Sequence, residues 1–187
     1  MIVNHQLLDR DFFIPSWKVK HLFLGTFNPY GGKSVAYFYG REKNFTWNIL
    51  SKIFTSHFNR NNINELLPLL KQNKIACMDM IRSVNALEEF VPGIIGEGYR
   101  DSKIINRKIN RNYNTLFINE VIRKNPGIKV YSTWGKGSTL KSWIEEVSSV
   151  ESNVISLASP SPAARVPKGT EKYNYVLNNW QTKIQKF

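Results

Sequence analysis

Thiols and imidazoles are scarce in this chain: one cysteine, Cys77, and three histidines, His5, His21 and His57, among 187 residues. A lone thiol excludes an internal disulfide and also a Cys-ligated iron–sulfur cluster, which typically takes about four thiolates. Cys77 reads as a small buried hydrophobe. The histidines are scattered without the spacing of a metal site, so no metal and no other cofactor is expected. Long apolar runs are missing as well. No stretch approaches membrane-spanning length, and the opening MIVNHQLLDRDFFIP carries two aspartates where a secretory signal needs an uninterrupted apolar stretch. The expectation is a soluble, cytoplasmic monomer with no membrane partner.

Acidic residues are also few: 14 Asp and Glu against 26 Lys and Arg, a formal charge of +12. Such an excess favours a polyanionic partner through release of its condensed counterions. The basic residues are spread along the chain rather than gathered in a tail, which is equally the pattern of a well-solvated surface. With 42% hydrophobic residues and no long polar tract, the chain is sized for one core, and residues 1–187 read as a single domain.

Four short apolar, β-branched or aromatic runs read as buried strands: Val19 to Phe27, Ile75 to Ile81, Ile128 to Thr133 and Val154 to Leu157. Between and after them lie segments of helical period. One places Trp47, Leu50, Phe54 and Phe58 on one face, and another Tyr173, Leu177, Trp180 and Ile184. Asn62 to Lys71 reads as a short helix interrupted at Pro68, and Leu116 to Lys124 as one that stops before Pro126 and Gly127. Leu87 to Asn114 has no clean period and reads as a long ordered loop. Strands alternating with helices imply an α/β fold, a three-layer α/β/α sandwich with a short, mainly parallel four-stranded sheet.

In such a sheet the carboxyl ends of the strands share one edge, where ligands bind. The first strand runs into Thr26-Phe27-Asn28-Pro29, a turn that presents an amide and is followed by glycines. The Gly31-Gly32-Lys33 triplet lacks the spacing of a phosphate-binding P-loop. Phe38 to Trp47 packs four aromatics around Asn44 just as a helix begins. An aromatic wall beside a bidentate amide suits a planar base, although Phe45 and Trp47 fit equally as core and Asn44 as a helix cap. After the last strand, Ser159-Pro160-Ser161-Pro162-Ala163-Ala164-Arg165 is a stiff loop whose hydroxyls, backbone amides and cation suit phosphate contacts.

Taken in order, these segments resemble the signature segments of the hypoxanthine-DNA glycosylase branch of the uracil-DNA glycosylase superfamily. The resemblance rests on the strand ending in Gly25-Thr26-Phe27 with Pro29 following, the F-Y-G-x-x-x-N-x-x-W segment from Phe38 to Trp47, and the S-x-S-P-A segment from Ser159 to Ala163. Between them, Met78-Asp79 is similar to that branch's strand-end Asp, and Gly98 to Ile104 to its D-S-x-I loop. Pro126 to Lys136 resembles its proline-to-glycine strand segment, and Phe13-Ile14-Pro15 its lead-in to the first strand.

The resemblance implies an α/β/α sandwich that hydrolyses the N-glycosidic bond of a deaminated base, uracil or hypoxanthine, after the base is rotated out of DNA. It places Asn28 near the residue that positions the attacking water. It makes Asn110, or Asn112 by a shifted alignment, a second catalytic candidate. Thr26, Phe27, Phe38 and Tyr39 would line the base pocket, with Asn44 reading the base edge. Ser159, Ser161 and Arg165 would grip the DNA backbone, with Lys136, Arg100, Lys103, Arg107, Lys108 and Arg111 adding phosphate neutralisation. Three residues separate Gly25 from Pro29 where most relatives have two. A catalytically inactive nucleic-acid-binding module on the same fold is therefore the alternative, and an enzyme of small nucleosides a third reading.

Overall fold

The computed structural model describes residues 1–96, 98–105, 108–135 and 145–184. Along the chain run β1 (Ile2–Asn4), β2 (His21–Gly25), α1 (Thr46–Phe54), α2 (Ile63–Asn73), β3 (Ile75–Asp79) and β4 (Ile81–Asn85). They are followed by α3 (Val91–Ile95), β5 (Asn110–Tyr113), α4 (Thr115–Lys124), β6 (Lys129–Ser132), β7 (Val154–Ser156) and α5 (Lys172–Lys183). Short 3₁₀ turns lie at Glu88–Phe90 and Asp101–Ile104.

The four strands expected from the apolar runs form one parallel sheet in the order β3-β2-β6-β7. Its central strand, β2, is buried at all five positions. Successive side chains alternate between faces, and the alternation feeds two cores. His21 and Phe23 of β2, Ile75 and Cys77 of β3 and Tyr131 of β6 face a layer of α1, α2 and α5, where Trp47, Leu50, Leu66, Leu70, Val176 and Trp180 meet them. Leu22, Leu24, Ala76, Met78 and Val130 face the other way, against Ile94 of α3, Ile118 and Val121 of α4, and Val3, Ile81 and Val84. The result is a three-layer α/β/α fold. No helix among the described residues is long and apolar enough to cross a membrane.

Local chemistry sets the helix ends. Asn62 caps α2 by accepting from the Asn64 N–H at 3.2 Å. The Glu171 carboxylate takes the N–H groups of Tyr173 and Asn174 at the positive end of α5. Helix α2 runs through Pro68 instead of breaking there. Leu66 and Leu70, both fully buried, anchor it on either side of the proline. Helix α1 stops at Phe54 with Thr55 in the left-handed region, so Phe58 lies beyond it. The Phe58 N–H donates to Ser51 Oγ, and this turns the chain back so that Phe58 still reaches the core.

The segment expected to be an irregular loop, Leu87 to Asn114, holds both 3₁₀ turns, α3 and β5. Strand β5 joins a second, antiparallel sheet of order β1-β4-β5. The two sheets meet where β3 ends and β4 begins: Met80 N–H donates to the Gly25 carbonyl and Ile81 N–H to the Thr26 carbonyl. Asp79 occupies that junction.

Trp180 ties the helical layer to the sheet. It is fully buried, lies parallel to the Phe23 ring at 5.5 Å, and donates its indole N–H to the Ala158 carbonyl at 2.8 Å. Trp180→Ala is expected to cost about 3–5 kcal/mol of stability, measured as a lower midpoint in urea unfolding.

Candidate active site

The carboxyl ends of β2, β3, β6 and β7 open onto a cleft of about 1460 Å³. This is larger than the roughly 300–1,000 Å³ of sites that enclose one small molecule. Lys33, Arg41, Lys43, Arg100, Arg165 and Lys183 line it, against three carboxylates, Glu42, Asp79 and Asp101. Its wall is therefore basic and its acids are individually placed.

Asp79 sits at the floor with 2% exposure. A carboxylate so far from water needs donors, and two reach one oxygen: His5 Nε2 at 2.8 Å and Asn28 Nδ2 at 3.1 Å from Oδ2. The Leu7 N–H donates to His5 Nδ1 at 3.0 Å. A backbone N–H can only donate, so Nδ1 is the acceptor and the ring carries its hydrogen on Nε2, facing Asp79. The N-terminal segment also holds the Asn28 turn: Gln6 N–H donates to the Asn28 carbonyl and Tyr30 N–H to the Asn4 carbonyl. Gly25 makes room for the carboxylate, since a Cβ there would lie 2.1 Å from Asp79 Oδ1. Behind the strand end, Asn114 donates its side-chain amide to the Asp79 carbonyl at 3.1 Å.

The other acid, Asp101, is half-buried at the start of the second 3₁₀ turn. Thr26 Oγ1 donates to its Oδ2 at 2.9 Å and the Tyr99 hydroxyl to its Oδ1 at 3.1 Å. Burial raises the Asp101 pKa to about 6; the two hydroxyls and Arg41 pull it down and the Asp79 charge pushes it up. Burial likewise holds the Tyr99 phenol well above its ordinary range, so it remains a donor. The Arg41 guanidinium lies 5.6 Å from the Tyr99 ring centre and donates to the Tyr99 carbonyl.

Tyr39 closes the floor beside Gly25. Its backbone has φ 54°, an uncommon conformation for a residue with a side chain. Thr133 gives its hydroxyl hydrogen to the Leu24 carbonyl, so Tyr39 is the donor in the 3.1 Å contact between the two hydroxyls. Asn44 accepts the Thr46 N–H on its Oδ1 at 2.9 Å, and its Nδ2 meets no partner among the described residues. The Phe45 N–H donates to the Pro160 carbonyl, joining this wall to the serine-proline loop. In that loop Ser159 Oγ accepts from Ser161 N–H and Ser161 Oγ from Ala163 N–H. Helix α5 holds the loop through Asn179 and Trp180, which bond the two polar groups of the Ala158 backbone.

Thus Thr26, Phe27, Asn28, Tyr39, Asn44, Ser159, Ser161 and Arg165 all line one cleft. Phe38 does not. It is fully buried behind the floor, 5.7 Å from the His5 ring, and supports the imidazole instead of facing a ligand. Asn110 lies opposite Asn85 at the outer end of β5 and is exposed. That pair stands four positions along β4 from Ile81, roughly 13 Å at 3.3 Å per residue, so the strand holds Asn110 away from the cleft. Asn112, also exposed, donates to Ser83 Oγ at 2.8 Å. Lys136 and Arg107 lie outside the described residues.

Sequence reasoning gave no site role to His5, Arg41, Asp79, Tyr99 or Asp101, although Asp79 and the Gly98 to Ile104 segment entered the resemblance. One signal did mark Asp79: an acid closing the otherwise apolar run Ile75-Ala76-Cys77-Met78, where burial demands partners. Nothing local marks His5, whose role depends on contact with a residue 74 positions away. No group of three or more His, Cys, Asp or Glu side chains among the described residues is arranged to hold a metal ion. Compared with protein-family models, with curated proteins and with solved structures, the chain matches none. Gly25→Ala tests the floor: the new Cβ must displace the Asp79 carboxylate, costing about 1–3 kcal/mol, and thermal unfolding is expected to shift down accordingly.

Proposed function

We propose that the chain is a monofunctional DNA glycosylase that hydrolyses the N-glycosidic bond of a deaminated base, uracil or hypoxanthine. The observation that carries this reading is a pair of cleft-lining amides anchored by opposite ends. Asn28 gives its Nδ2 to the Asp79 carboxylate, which leaves Oδ1 as an acceptor. The Thr46 N–H donates to Asn44 Oδ1, which leaves Nδ2 as a donor. Neither amide can flip without setting donor against donor or acceptor against acceptor.

Glycosidic hydrolysis asks for those two polarities. Its transition state is oxocarbenium-like, with negative charge moving onto the departing base. An acceptor at Asn28 orients a water toward the sugar C1′, while a donor at Asn44 meets the carbonyl edge of the base and strengthens as charge develops there. The Tyr39 ring is available for stacking, and the basic wall together with the loop Ser159 to Arg165 suits the phosphates on either side. The size of the cleft favours a polymer segment over a free nucleoside. A net charge of +12 supports the same partner.

The test is a panel of oligonucleotides carrying uracil, hypoxanthine or xanthine, with abasic sites revealed by alkali. Wild type is expected to release a deaminated base. Asn28→Ala is expected to lower the single-turnover rate by about 10²-fold or more. Asn44→Asp keeps an oxygen for the helix start and removes the donor, so it is expected to stay folded while losing rate comparably. Salt-dependent binding without release of any base would contradict the reading and leave a binding module on the same fold.

A further inference from the structure

Attack by water on C1′ liberates a proton, and an amide such as Asn28 does not take it. Three carboxylates line the cleft. Glu42 is exposed on the lip. Asp79 is 2% exposed, and its Oδ2 already holds both His5 and Asn28. Asp101 differs from both. It is half-buried, opens on the cleft, and is fixed by one hydroxyl on each oxygen, Thr26 and Tyr99. A carboxylate has roughly four lone-pair sites, so each oxygen retains an acceptor position. Thr26, which orients it, stands two residues before Asn28 on the same turn.

We propose that Asp101 is the general base of the reaction, taking the proton of the water that Asn28 positions. This rests on the glycosylase reading above. In the step, a lone pair of the water oxygen forms the C1′–O bond. The C1′–N bond breaks, with its electron pair leaving on the base. One water proton passes to an Asp101 oxygen, and later to solvent, and the departing base anion takes a proton from solvent. No oxidant, metal or further reactant is needed.

The surroundings match the task. A general base works best when it titrates near the operating pH, and burial places Asp101 at about 6. The groups that face it are the Thr26 and Tyr99 hydroxyls, the Asp79 carboxylate and the Arg41 guanidinium. The hydroxyls favour the ionised form, so losing one raises the pKa.

The experiment is the single-turnover rate of base release, with enzyme in excess, from pH 5 to 9, for wild type, Asp101→Asn and Thr26→Val. The wild-type rate is expected to climb about tenfold per pH unit below about 6 and then level. Asp101→Asn is expected to lose about 10²-fold at the plateau, and the acid limb with it. Thr26→Val keeps the carboxylate, and its limb is expected to move to higher pH; this decides the matter should Asp101→Asn fail to fold. An Asp101→Asn rate near wild type, a limb that survives in it, or a limb unmoved in Thr26→Val overturns the assignment while excision itself stands. A wild-type chain that excises nothing overturns the glycosylase reading and the assignment together.

Discussion

A carboxylate buried at the meeting of two sheets is the constraint around which this molecule is arranged. Asp79 ends β3 with 2% exposure, and an unpaired charge in such a place costs several kcal/mol. Donors are therefore obligatory, and each one recruits a separate part of the chain. His5 brings in the N-terminal segment, whose backbone fixes the imidazole tautomer through Leu7. Asn28 commits the turn after β2. Gly25 is small because the carboxylate occupies the place of its Cβ. Asn114 secures the strand end from behind.

The same constraint reaches the cleft. With its Nδ2 bound to Asp79, Asn28 lines the cleft with its Oδ1 left as an acceptor, while the start of α1 leaves the Asn44 Nδ2 as a donor. A network built to satisfy a buried charge thus fixes the polarity of the groups a ligand meets. Asp101 belongs to a second, less buried network of Thr26, Tyr99 and Arg41. The two carboxylates interact without sharing a partner: the charge of Asp79 pushes the Asp101 pKa upward. Different burial gives the two acids different roles, one holding an amide and one free to exchange a proton.

Much of the fold was legible in the sequence because the parallel sheet is buried on both faces. Its strands are continuous apolar runs, and α1, α2, α4 and α5 carry apolar faces at helical spacing. The antiparallel sheet was hidden for the opposite reason. Asn110-Arg111-Asn112-Tyr113 has no apolar alternation, because β5 is an edge strand exposed on one side. Pro68 looked like a break, yet tertiary burial of Leu66 and Leu70 holds the helix through it. In the site, Thr26, Asn28 and the serine-proline loop were visible as strand-end chemistry, and Tyr39 and Asn44 as an aromatic segment around an amide where a helix begins. His5 was not, since its meaning lies in a long-range contact, and Phe38 was misplaced because an aromatic in sequence does not say which side of a wall it occupies. Of the asparagines at 110, 112 and 114, the one that reaches Asp79 is Asn114, a distinction set by where β5 ends.

The most direct measurement is a double-mutant cycle on the single-turnover rate of base release, comparing wild type, Asn28→Ala, Asp79→Asn and the double variant. If Asp79 acts by holding the Asn28 amide, each single change slows release and the double variant is no slower than the slower single one, because both disable the same device. Effects that multiply, or an Asn28→Ala rate equal to wild type, would contradict the account.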